Sequence, residues 1–190
     1  MPVSEPIIRA FCNNIEYPLV ASTKHTGCFF GGPIEWKVKG IPKSSTKLHQ
    51  IARLHCSQLD ILGCINDFPL VYGMRFSGCQ IAYRFTSREI TIDSISPRVA
   101  SKDWPYEDYP ALLPFVPLRV AKKQKMNWKR FSDRFWNLPE RQPAELVVVV
   151  PPPATAGVSV WGSSGDAEEV SIVFECDLSS QKVKAYNVCS

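Results

Sequence analysis

The chain has 190 residues, 45% of them hydrophobic and 21% charged, with a formal net charge of +4. That length supports one compact domain with its own core, and that apolar content excludes a chain disordered throughout. No segment reaches the roughly 18 consecutive apolar residues of a membrane span, and the opening MPVSEPIIRAF lacks the basic start and long apolar run of a secretory leader.

In chain order, the N-terminus offers a weak helix. The stretch CFFGGPIEW, residues 28–36, interrupts an apolar run with two glycines and a proline. Gly31 and Gly32 either take backbone angles closed to other residues or let a neighbouring strand come close, with Phe29, Phe30 and Trp36 packed on either side. A ligand wall is the other reading of the same stretch. ARLHCSQLDIL and PLVYGMRF read as two strands. CQIAYRF alternates, placing Ile81, Tyr83 and Phe85 on one face, and EITIDSI answers it with Ile90 and Ile92. The three-residue connector TSR makes the pair a hairpin.

Ten of the sixteen prolines fall between Pro97 and Pro153, so that region is expected to be extended and loop-rich. Within it, Trp128, Phe131, Phe135 and Leu138 are spaced 3, 4 and 3. That spacing predicts one face of a helix over 126–138, ended by Pro139. ELVVVV is a continuous apolar run, expected of a central strand covered on both faces. EVSIVFEC alternates, with Val170, Ile172, Phe174 and Cys176 pointing one way, and KVKAYNV is a last strand. The expected fold is α+β: a single domain over 1–190, mainly antiparallel sheet with one or two packed helices.

The common catalytic signatures are missing: no P-loop, HExxH, GxSxG or GxGxxG occurs. The seven cysteines are scattered and odd in number, which suggests free, mostly buried thiols in a reducing cytoplasm. Only His25, His49 and His55 could serve as imidazole ligands. His55 and the adjacent Cys56 would point to opposite faces of a strand, so neither a metal nor another cofactor is expected. His25 and Cys28 read as a loop histidine and a buried cysteine.

Charge is segregated along the chain. Residues 119–134 carry seven basic side chains and one acidic, whereas 145–190 carry six acids and two lysines. In RVAKKQKMNWKRFSDRFW the helical spacing sends the aromatics inward and leaves Lys125, Lys129 and Arg130 in solvent. The segment reads as an amphipathic helix or as a site for a polyanion or acidic partner. The loop DWPYEDY is either a solvated acidic edge or a set of aromatic anchors rimmed by acids.

FFGGPIEWKVKGIPKSSTKLHQIARLHCSQLDIL resembles the first half of the YwqG-like family, a bacterial domain of unknown function. Gly31, Gly32 and Pro33 match its glycine-pair-proline turn, and Gln58, Leu59 and Asp60 its strand ending in Gln-hydrophobic-Asp. The closing segment is similar too, through Trp161, Gly162, Asp177, Leu178, Cys189 and Ser190. ELVVVVPPP stands where the family has a second Gln-hydrophobic-Asp strand.

The leading functional expectation is a non-catalytic, cytoplasmic protein-binding module: a bacterial immunity protein that occludes a cognate toxin, with no membrane partner. Its partner-binding residues would be Asp103, Trp104, Tyr106, Glu107, Asp108 and Tyr109 toward a basic toxin, or Lys122, Lys123, Lys125, Lys129 and Arg130 toward an acidic one. The alternatives are a nucleic-acid binder using the basic 119–134 segment, or an enzyme with a site built from His55, Gln58, Asp60 and Asp166.

Overall fold

The computed structural model describes residues 6–40, 48–59, 67–74, 79–96, 112–135, 137–150 and 170–189. It is mostly β-strand. The N-terminal segment is a hairpin rather than the expected helix: β1 (Ile8–Cys12) turns through Asn13 and Asn14 into β2 (Ile15–Ala21). Both asparagines have positive φ, 52° and 59°, as a two-residue type I′ turn requires. Asparagine tolerates that region better than any residue but glycine.

Next come β3 (Cys28–Phe30), β4 (Lys37–Lys39) and β5 (His49–His55), followed by a 3-10 turn over Cys56–Gln58. The Gln58–Leu59 part of the family-like motif therefore ends a turn, not a strand, and Asp60 lies outside the described residues. β6 (Asp67–Tyr72), β7 (Gln80–Phe85) and β8 (Glu89–Ser96) follow, the last two forming the expected hairpin across Thr86–Arg88. The chain then runs through β9 (Val116–Val120), β10 (Gln124–Lys125), α1 (Trp128–Ser132), β11 (Leu146–Val150), β12 (Val170–Asp177) and β13 (Lys182–Cys189).

Among the described residues, all thirteen strands belong to one sheet, in the order β4-β8-β7-β13-β12-β11-β1-β2-β9-β3-β5-β6, with β10 also beside β2. Every pairing is antiparallel except β4 with β8. The order is linear, yet its two ends meet. The buried Tyr83 of β7 donates its hydroxyl proton to the Pro69 carbonyl of β6 (2.7 Å) and accepts from the Val71 N–H (3.1 Å). Phe68 and Phe85 meet edge to face at 5.2 Å, and Trp36 Nε1 donates to the Thr86 carbonyl at 3.0 Å. A side chain thus occupies the free edge of β6, where backbone groups would otherwise be unpaired.

The larger core lies between these opposed ends and takes Leu146, Val148 and Val150 from β11, Ile172, Phe174 and Cys176 from β12, and Ile81, Tyr83 and Phe85 from β7. The other face of the central strands forms a second core, where Phe11, Val147, Val149, Val173 and Val188 receive Trp128, Phe131 and Leu138. The continuous apolar run of β11 is thereby covered on both sides.

The helix is shorter than its apolar spacing predicts. α1 spans five residues, and the chain then tightens through bonds from Arg134 N–H to Phe131 O and from Phe135 N–H to Ser132 O. Asn137 follows at φ 69°. The four apolar side chains still reach the second core, Phe135 only partly; turns deliver them there without a continuous helix.

Gly31 and Gly32 both have positive φ, 69° and 79°. A Cβ on Gly31 would strike the Pro114 carbonyl, because the Gly31 and Gly32 N–H groups bond to Ile51 O (2.9 Å) and Leu113 O (3.0 Å). Both readings of the glycine pair, special angles and close approach, hold at once.

The thiol expectation holds for Cys12, Cys28, Cys79 and Cys176, all buried and free. It fails at Cys56, which is disulfide-bonded. Sequence spacing does not reveal which cysteines come within the roughly 4.4–6.8 Å Cα separation that a disulfide needs. Among the described residues, no helix is long and apolar enough to cross a membrane.

Candidate functional site

The basic segment and the N-terminal hairpin build one face together. β10 pairs with β2 so that Gln124 faces Glu16 and Lys125 faces Ile15. On the neighbouring strand β1, Phe11 pairs with Glu16 and Arg9 with Pro18. Arg9, Phe11 and Glu16 consequently share one side of the sheet, with Arg9 diagonal to Glu16. The two close an ion pair. Glu16 is only 2% exposed, while about a third of the Arg9 side chain (34%) remains accessible. A buried carboxylate persists only when paired, and Arg9 supplies that pairing.

α1 roofs the adjacent Phe11. Trp128 meets its ring edge-on at 5.5 Å and Phe131 lies at 4.5 Å, while Trp128 Nε1 donates to the Pro139 carbonyl at 2.8 Å. With its apolar side committed, the segment leaves Lys125, Arg130 and Arg134 exposed. Between roof and hairpin runs a cleft of about 400 Å³, with Arg9 and Glu16 at its floor and Lys125, Asn127, Arg130 and Arg134 on its walls. Four cations thus surround one carboxylate. Among the described residues, Lys122, Lys125, Arg130 and Arg134 have no ion-pair partner. Lys129 reaches Glu140 only at 3.9 Å, with both side chains largely exposed, so it is little neutralised. Lys123 lies over the Tyr17 ring, 5.3 Å from its centroid.

The structure brings Lys125 and Arg130 into this cleft and leaves Lys122, Lys123 and Lys129 exposed in the same segment. The sequence pattern missed Arg9, Glu16 and Arg134. The first two become legible once Asn13–Asn14 is read as a hairpin turn, because that register sets them diagonally across β1 and β2. The acidic set Asp103, Trp104, Tyr106, Glu107, Asp108 and Tyr109 lies outside the described residues, as does Asp166.

The enzyme alternative has its remaining parts around His55. His55 Nδ1 lies 2.7 Å from Ser57 Oγ and accepts from the Ser57 backbone N–H at 3.3 Å. Both contacts cap the 3-10 turn. His55 Nε2 stands 3.7 Å from Asp67 Oδ1, and Asp67 is held by Arg53, which also binds Glu35. The Arg53 guanidinium lies 5.4 Å from the ring centroids of both Phe29 and Trp36. Gln58 ends the turn half-buried. Cys28, whose sulfur accepts from the His55 N–H, has its thiol pushed up by burial, which opposes a nucleophilic thiolate. Apart from the bond to the Cys28 sulfur, the contacts of this group serve a turn, a ring stack or an ion pair. Among the described residues, no three His, Cys, Asp or Glu side chains gather as metal ligands.

No family model, curated protein or solved structure matches this chain.

Proposed function

We propose that the protein is a non-catalytic protein-binding module whose basic face docks an acidic protein partner, as an immunity protein would occlude a cognate toxin. The observation that carries this reading is the uncompensated charge of Lys125, Arg130 and Arg134 around a cleft whose carboxylate, Glu16, is already bound, with Lys122 exposed in the same segment. Complementary charge speeds encounter and rejects like-charged partners. A partner covering about 800 Å² of this side would match an ordinary stable interface. The proposal includes kinship with the YwqG-like family, supported by the Gly31–Gly32–Pro33 turn and the Asp177–Leu178 turn between the last two strands.

A protein partner is favoured over nucleic acid by the placement of the aromatics. Trp128 and Phe131 are buried against Phe11, so they offer no platform on which bases could stack. A five-residue helix is also too short to lie along a major groove as recognition helices do.

The test is co-expression of the chain with the products of its neighbouring genes, followed by purification and a growth-rescue assay. Reversal of charge at Lys122→Glu with Lys125→Glu should abolish both complex and rescue, and the wild-type complex should weaken as salt rises. A complex indifferent to both substitutions would remove the proposal. A mobility shift of DNA or RNA at about 50 mM salt that disappears at about 200 mM would replace it with the nucleic-acid reading.

A further inference from the structure

The cleft beneath α1 is more specific than a basic surface needs to be. Its floor cation, Arg9, is fixed by a carboxylate that is itself nearly inaccessible. Glu16 occupies part of the Arg9 guanidinium and leaves the remainder facing the cavity lined by Arg130 and Arg134. Three arginines and Lys125 thereby line one cavity of about 400 Å³, with Gln124 and Asn127 adding neutral amides at the wall.

We propose that this cleft receives a phosphomonoester, presented by the acidic partner as a phosphorylated side chain. The inference rests on the binding reading above and names its anchor. The cleft favours phosphate over carboxylate in charge, donor geometry and shape. Once Glu16 is counted, four cations leave a net charge of about +3, and a phosphomonoester brings roughly −1.5 to −2 at neutral pH where a carboxylate brings only one charge. Guanidinium forks match the tetrahedral oxygens with paired donors, which lysine alone does not provide. The donors also surround a cavity rather than a flat patch, so they can bond several oxygens of one group at once. A nucleotide base gains nothing there, because among the described residues the cleft's one ring, Phe131, is packed against Phe11, Trp128 and Phe135.

The experiment uses fluorescence anisotropy with a fluorescein-labelled Gly-Gly-phosphoserine-Gly-Gly peptide, its unphosphorylated twin, and polyglutamate. Inorganic phosphate serves as competitor. The variants are Arg134→Gln and Arg130→Gln in the cleft and Lys24→Gln away from it; all three side chains are exposed, and thermal melts verify that folding is kept. The expected result is a preference of at least about ten-fold for the phosphopeptide over its twin, lost about ten-fold in either arginine variant and kept in Lys24→Gln. Equal binding of the twin, or phosphopeptide binding untouched by the arginine variants, overturns the inference. Polyglutamate binding that survives alongside that result leaves the broader reading in place. Binding of the phosphopeptide without polyglutamate supports the cleft and counts against a general acidic-surface dock. Inorganic phosphate competing as strongly as the peptide assigns the site to free phosphate and overturns its placement on a partner. If no probe binds, the cleft and the broader reading both fall.

Discussion

Replacing Tyr83 with phenylalanine isolates one oxygen atom at the seam where the two ends of the sheet meet. Phenylalanine keeps the ring that packs in the larger core, so no cavity larger than the hydroxyl appears. What disappears is a donor to Pro69 O at 2.7 Å and an acceptor for Val71 N–H at 3.1 Å. Both are backbone groups of an edge strand, and Tyr83 is 1% exposed, so water does not replace the hydroxyl without opening the seam. A buried polar group left unsatisfied costs about 1–3 kcal/mol, which for the two groups gives roughly 2–6 kcal/mol. That is a large share of the 5–15 kcal/mol by which domains are ordinarily stable. For a domain of this size it corresponds to a fall in Tm of about 4–24 °C. Urea denaturation followed by tryptophan fluorescence reads the global cost, and hydrogen exchange at the Val71 amide reads the local one. The expected result is a lower midpoint together with faster exchange at Val71 than at the amides of β12. An unchanged midpoint with Val71 still protected would refute the assignment of this hydroxyl as the cap of the β6 edge.

Three further outcomes follow from the geometry. Gly31→Ala should destabilise by about 3 kcal/mol and Gly32→Ala by about 1–2 kcal/mol: both pay for a left-handed backbone, but only at Gly31 does the new Cβ meet a backbone carbonyl, whereas at Gly32 it meets the exposed Phe115 ring at 3.0 Å. Equal midpoints for the two variants in urea would contradict the close approach of Pro114. Asp177 accepts from Ser179 N–H, Ser179 Oγ and Ser180 N–H, bonds that lower its pKa to about 2 with those to Ser180 foremost. Because the folded value lies below the unfolded one, this turn's contribution is fully present above about pH 4 and fades as pH falls toward 2; Asp177→Asn should flatten the stability profile over that acid window alone, and a loss at pH 7 that persists unchanged to pH 2 would count against it. Burial pushes the Cys79 thiol up to about 11 and raises Cys12, Cys28 and Cys176 as well, so a thiol reagent at neutral pH should label none of the four in native protein and all four in denaturant, as peptide mass mapping would show.

Strand existence was legible wherever a short period coincided with burial on one face or both. Ile81, Tyr83 and Phe85 declared their shared face by alternation, and the run Leu146–Val150 declared its double burial by lacking any. Helical spacing at Trp128, Phe131, Phe135 and Leu138 identified the right side chains for burial but overstated the helix, because a sequence of tight turns ending at Asn137 sends them to the same place. The N-terminal hairpin was hidden by the absence of glycine: Asn13–Asn14 carries the same φ requirement with a weaker signature. The basic half of the site was visible as a charge run. Its floor was not, since Arg9 and Glu16 join it through a pairing register, and Lys125 reaches it through a strand of two residues. The pairing of Cys56 depends on proximity in three dimensions and left no mark on the spacing.

The middle of the sheet is stitched from distant parts of the chain. β1 lies between β2 and β11, with Arg9 opposite Val149 and Cys12 opposite Leu146. During synthesis the first hairpin therefore waits for well over a hundred residues before its second neighbour exists, while one apolar flank stays open. Long-range closure of this kind slows folding and lengthens the time in which an unpaired edge can find the wrong companion. A ribosome-bound intermediate lacking β11 should accordingly be the species that chaperones retain.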